Sequence, residues 1–154
     1  MTAKQVFDGT PSTVIALTAS IADAGFTVNS TNATITEFDN SSDLWPAVVL
    51  RLELPDTFGA APDDGSSIDV FMTTSDQGGT DDPTPPTTTT QEAARWVGAF
   101  RIYDTDEAQY PSEIIVPLIG VRQCKFFLQN NTGQTLSYST GGTLTAEGCS
   151  LQDV

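Results

Sequence analysis

The chain has 154 residues, six basic against twenty acidic side chains, no histidine, and a formal charge of −14. This balance argues against a nucleic-acid binder, which needs Lys and Arg to neutralise phosphate, and against a protein held on an anionic membrane. The lack of histidine removes Ser-His-Asp and Cys-His catalysis and imidazole metal sites.

The N-terminal MTAKQVFDG has no basic segment followed by an apolar run, so no secretory signal is expected. No stretch approaches the roughly 18 apolar residues of a membrane helix, and a soluble product made in a cytoplasm is expected. STVIALTAS (Ser12 to Ser20), GFTVNS (Gly25 to Ser30) and ATITEFD (Ala33 to Asp39) are rich in β-branched residues and read as strands. The sequons at Asn29, Asn32, Asn40 and Asn130 reflect Asn and Thr richness once no signal peptide is expected.

Alternation sharpens from Pro46 onward. In PAVVLRLEL, Val48, Leu50, Leu52 and Leu54 share one face, opposite Arg51 and Glu53. In SSIDVFMTT, Ile68, Val70 and Met72 oppose Asp69 and Thr73. In ARWVGAFRIYD, Trp96, Phe100 and Ile102 oppose Arg95 and Arg101, which assigns Trp96 to the core. SEIIVPL (Ser112 to Leu118) reads as a further strand. In CKFFLQN, Cys124, Phe126 and Leu128 oppose Lys125 and Gln129. Successive side chains of a strand face opposite ways, so each pattern describes a half-buried strand. TLSYSTGGTLTAEG reads as a hairpin turning at Gly141-Gly142.

Eight to ten such strands without a helix predict an all-β fold, a two-sheet antiparallel sandwich of jelly-roll type. Residues 1–154 are read as one domain, with GGTDDPTPPTTTTQ inside a Pro/Thr-rich loop at about 76–92. Cutting there would leave pieces of roughly 75 residues, too small to stand without staples.

Five apolar residues fall on the parity opposite their strand's main set: Val49, Phe71, Val97, Ile115 and Phe127. They are the candidate interface, with the alternative that strands are buried on both faces or carry a phase-resetting bulge. On the interface reading, Phe71 and Phe127 are anchors whose replacement leaves the fold intact.

Chemistry-bearing motifs are sparse. Asp104, Asp106 and Glu107 in YDTDEAQ could offer oxygens to calcium, although the spacing is not that of an EF-hand and a solvated turn explains them. Loop acids such as Asp63, Asp64, Asp81 and Asp82 are explained by solvation rather than by a glycosidase pair. Trp45, Trp96, Tyr103 and Tyr110 could stack on sugars, with Trp96 assigned to packing instead. Cys124 and Cys149 lack any zinc spacing; they could meet across adjacent strands, but two thiols are expected in a cytoplasm, with a disulfide only after release into oxidising surroundings. No catalytic residue, metal or cofactor is expected.

Taken in order, FDNSSDLWPAVVLRLEL, SIDVFMTTSDQ, the Pro/Thr loop, WVGAFRI and KFFLQNNTGQTLS resemble small virion structural proteins of tailed bacteriophages. The resemblance spans about residues 12 to 146 and rests on strand and turn patterns. Proteins of the kind it resembles often carry a Pro-Pro turn before the Lys-Phe strand, where this chain has Ile119-Gly120-Val121-Arg122. It implies a β-sandwich capsid decoration or cement protein without an active site. It also implies attachment to the major capsid protein, commonly as a homotrimer, in the virion. The alternative is a tail or fibre component that binds a carbohydrate or receptor; an exposed aromatic groove would favour it, and a buried Trp96 would favour decoration.

Overall fold

The computed structural model describes residues 3–7, 9–55, 58, 60–75, 94–137 and 141–153. The Pro/Thr-rich loop at about 76–92 lies outside the described residues. Ten strands follow in chain order: β1 (Ala3–Phe7), β2 (Ser12–Leu17), β3 (Ala33–Ile35), β4 (Phe38–Asp39) and β5 (Ala47–Glu53), then β6 (Ser67–Ser75), β7 (Arg95–Arg101), β8 (Ile114–Pro117), β9 (Gln123–Asn131) and β10 (Thr143–Asp153). Every ladder between these strands is antiparallel.

The strands form two sheets packed face to face. One has the order β3-β2-β10-β5-β8, with β1 also on β10; the other has the order β4-β9-β6-β7. Setting aside β1 and β3, the two quartets β2-β10-β5-β8 and β4-β9-β6-β7 have the strand order of a jelly roll. The chain hops between sheets at most connections, so each sheet interleaves strands from both halves of the sequence.

The inward faces are those set by the alternation. Val48, Leu50 and Leu52 from β5, Ile68, Val70 and Met72 from β6, and Cys124, Phe126 and Leu128 from β9 meet in the main core with Val14, Phe100, Val116 and Leu144. The expected strand at Ala33–Asp39 divides: β3 stays with β2 in the first sheet and β4 crosses to β9 in the second. The expected hairpin at Gly141-Gly142 does not form among the described residues. Leu136 instead bridges to Ile21, while β10 lies between β2 and β5. β10 wins that position because it carries Leu144 and Ala146 into the core.

Outward faces are where parity misleads. Phe71 and Phe127 are cross-strand partners on the outer side of the second sheet, yet both are buried, in a second cluster with Phe26. The rings of Phe26 and Phe71 stand 5.5 Å apart at 59°, an edge-tilted contact favoured by aromatic quadrupoles.

Phe26 arrives because β4 stops after pairing Phe38 with Cys124 and Asp39 with Gln123, leaving the rest of the β9 edge to the segment after β2. Thr27 donates its N–H to Leu128 O at 2.8 Å, and its hydroxyl accepts the Leu128 N–H at 2.9 Å. Buried Asn130 donates to Ile21 O at 3.0 Å and to Gln134 O at 2.8 Å, and accepts from the Thr132 hydroxyl. Strand β9 is thus covered on both faces and along its edge. The expectation that Phe71 and Phe127 are exposed anchors is overturned.

Val49 is corrected likewise. It is fully buried, on the outer face of the first sheet opposite Glu147 and Ile115. Arg51, two residues along, spans that face to Glu113 and Glu147 at 2.5 Å each. Those two carboxylates, Glu113 first, raise the Arg51 pKa further above its ordinary value.

The cysteines are both buried thiols, on β9 and β10, which lie in different sheets. Burial pushes the Cys124 thiol up to about 12 from 9.0, with a smaller push from Glu37.

Two outcomes follow. Phe127→Ala should cost about 3–5 kcal/mol in denaturant unfolding, as expected for a buried ring, whereas exposed Ile115→Ala should stay within about 0.5 kcal/mol. The folded state holds the Cys124 proton up to about 12 while the unfolded chain releases it near 9.0. This contribution is therefore complete below pH 9 and is lost as pH rises toward 12. Cys124→Ala should flatten that part of the stability–pH curve.

Candidate functional site

One end of the sandwich exposes large apolar side chains that the local backbone pushes outward. Three elements build it: the turn entering β5, the start of β7, and the turn after β8.

The first turn is set by Asn40, which is buried. Its side-chain oxygen accepts the Trp45 N–H at 2.7 Å, and its amide donates to Trp45 O and Val121 O, each at 3.0 Å. Leu44 N–H also donates to Asn40 O at 3.0 Å. Held this way, Leu44 sits at φ +53°, a left-handed conformation costly for a branched side chain, and is 59% exposed. Trp45 turns inward and lies against the main core, over Gly148, where an added Cβ would come within 2.5 Å of its ring.

The second element is a bulge. Along β6, Val70 pairs with Gly98 but Phe71 pairs with Trp96, so Val97 is the extra residue of β7. Val97 packs against the main core, and Trp96 is turned out to 57% exposure. The expectation for Trp96 is reversed, since it is not core, while Val97, half-buried, packs against the core and also lines the cleft described below.

In the third element Leu118 N–H donates to Pro46 O, and Val121 N–H donates to Leu118 O. With Gly120 at φ +77°, Leu118 is buried and Ile119 stands at the tip, 85% exposed.

These pieces meet. A cleft of about 450 Å³ is lined by Trp96, Val97, Val116, Pro117, Ile119 and Val121, with Arg95 at its side. A neighbouring cleft of about 340 Å³ shares Ile119 and Val121 and adds Leu44, Trp45 and Arg122. Asn40 lines it too, but its polar atoms are engaged with the backbone. Arg95 and Arg122 are exposed, and no ion pair among the described residues involves them.

Other candidates do not assemble. Of the five predicted interface residues Val49, Phe71 and Phe127 are buried, Val97 is half-buried in the cleft wall, and Ile115, at 53% exposure, is on the surface. It lies on β8 two residues before Pro117 of the cleft. Tyr103 and Tyr110 are exposed at the opposite end of the sandwich, so the four aromatics share no platform. Asp104, Asp106 and Glu107 are exposed, and no cluster of three acidic side chains or cysteines converges among the described residues. That loop is organised by buried Gln109, which accepts from Tyr103 N–H and donates to Tyr103 O and Thr105 O. A further cleft of about 450 Å³ between Ala19 and Asn32 is lined by small residues together with Ile21 and Phe26, and Asn32 spends its side chain on Val28 N–H and Phe26 O.

The alternation missed Leu44 and Ile119 because both sit in turns, where period two carries no information. The available signals were Leu44 before Trp45-Pro46, and paired Leu118-Ile119 before a glycine. No family model matches the chain, and no curated protein matches it.

Gly148→Ala should displace Trp45 and cost about 1–3 kcal/mol, as overpacking does. Tryptophan fluorescence of this variant in a Trp96→Phe background should shift red as Trp45 becomes wetter.

Proposed function

We propose that this protein is a non-enzymatic virion structural protein of a tailed bacteriophage, a decoration or cement subunit that binds the outer capsid shell and stabilises it. The observation that carries the proposal is the exposed apolar end: Leu44, Trp96 and Ile119 around two adjoining clefts. Three large apolar side chains held outward by a strained turn, a bulge and a glycine turn are costly in water, and such patches serve as protein contacts. The jelly-roll strand order, the acidic charge and the segment resemblance support the same reading.

Exposure of Trp96 favours one second reading, a carbohydrate-binding tail or fibre module, since an exposed indole can stack on a sugar. The lining argues against it. Sugar sites pair the ring with convergent hydrogen-bonding groups. Here the clefts offer aliphatic walls, two arginines and an asparagine already engaged.

Purified protein should bind capsids stripped of their accessory proteins and raise their thermal resistance. Trp96→Ser and Ile119→Asp should each weaken binding about tenfold or more, the scale of central interface residues, while leaving the unfolding midpoint nearly unchanged. Binding to a glycan array with none to capsids would make the second reading the correct one.

A further inference from the structure

Among the described residues, three other than glycine take a left-handed backbone: Ala24 at φ +57°, Ser30 at +62° and Leu44 at +53°. In this region Cβ crowds the neighbouring carbonyl, and bulky side chains are rare there. Ala24 and Ser30 have small side chains, and main-chain bonds account for both. Ala24 N–H donates to Asn130 O at 2.7 Å, and Ser30 N–H donates to Ala33 O at 2.9 Å. Leu44 is the large one.

Its backbone is fixed by the turn around it. Leu44 N–H reaches back to Asn40 O, closing one turn over residues 41–43, and the Asn40 side chain holds both the N–H and the C=O of Trp45. A left-handed residue ends such a turn, and glycine or asparagine ordinarily supplies it. Either would serve the fold better here. The leucine side chain belongs to neither core cluster, is not among the partly buried residues packed against them, and is 59% exposed. It borders the smaller cleft, beside Trp45 and Ile119. The fold therefore bears the cost of a left-handed leucine without using its side chain. Strain of this kind is characteristic of contact and ligand sites, where stability yields to function.

Resting on the reading of this end as the shell-docking surface, we infer that Leu44 is its specificity-determining anchor, a knob that enters an apolar recess of the shell protein and is kept against the stability of the free chain. The turn sets the knob before binding. With the Leu44 amide and the Trp45 backbone already engaged, docking orders a side chain and little else, which limits the entropy lost. Asparagine in the same place has nearly the same shape and suits the backbone better. It differs in what it brings to the recess, a polar amide buried without partners. Stability and attachment should therefore move in opposite directions.

The test reads both on the whole chain. Leu44→Asn and Leu44→Gly should each raise the melting temperature of the free protein by about 2–4 °C, the shift expected from a relieved left-handed residue in a chain of this size. Each should also weaken binding to stripped capsids about tenfold or more. Leu44→Met keeps the strain and an apolar side chain, so it should melt with the wild type and bind within about threefold of it. Asparagine and glycine variants that melt at or below the wild type overturn the inference, because the leucine then serves the fold. A methionine variant that binds as poorly as the asparagine one also overturns it, since the recess is then not read by apolar contact. A wild type that ignores capsids defeats the proposed function and this inference together. A wild type that binds them, with Leu44→Asn binding equally well, defeats the inference alone.

Discussion

The pairing of β6 with β9 is the constraint on which the structure depends. It runs in unbroken antiparallel register from Ser67 opposite Asn131 to Ser75 opposite Gln123. At its centre it is buried on both sides. Ile68, Val70 and Met72 meet Cys124, Phe126 and Leu128 inside, while Phe71 faces Phe127 outside. A sheet face carrying two adjacent phenylalanines cannot be left to water, since each ring buried on folding is worth several kcal/mol. The segment after β2 is consequently drawn across the β9 edge, bringing Phe26, and the expected straight strand at Gly25–Ser30 becomes a set of single bridges and side-chain clamps.

Polar side chains hold the irregular parts as firmly as apolar ones hold the strands. Thr27, Asn32, Asn40, Gln109 and Asn130 are all buried. Each bonds to backbone groups that no sheet ladder serves. Among the described residues no buried side-chain polar atom lacks a partner. The loops of this protein are thus specified by amides and hydroxyls placed where main-chain donors and acceptors would otherwise be stranded.

This explains what was legible in the sequence. Alternation located β5, β6 and β9 and their inward faces, because burial of one face writes a period of two directly into residue choice. It identified Phe71, Phe127 and Val49 as outward residues correctly and their exposure incorrectly. Period two reports which side a residue faces and says nothing about what lies on that side. A single inserted residue at Val97 reversed the reading of Trp96, and a bulge leaves no mark in composition. The apolar end is carried by turns, where the relevant variable is backbone dihedral angle: Leu44 at a positive φ and Ile119 beside Gly120 are placed by geometry that hydropathy does not encode. The sheet order, too, follows from distant pairings that no local window contains.

The central place of β10 has a kinetic consequence. Residues 143–146 lie between β2 and β5, so these two strands of the first sheet stay apart until β10 is present. During synthesis β2 and β5 leave the ribosome with their inward faces, Val14, Ile15, Leu50 and Leu52 among them, waiting for a partner made more than ninety residues after β5 begins. Topologies dominated by such non-local pairing fold slowly, in milliseconds to seconds, and expose strand edges meanwhile. The sandwich is therefore a product that closes late, and the high acidic charge of the chain, by keeping unfinished copies apart, protects the interval before it does.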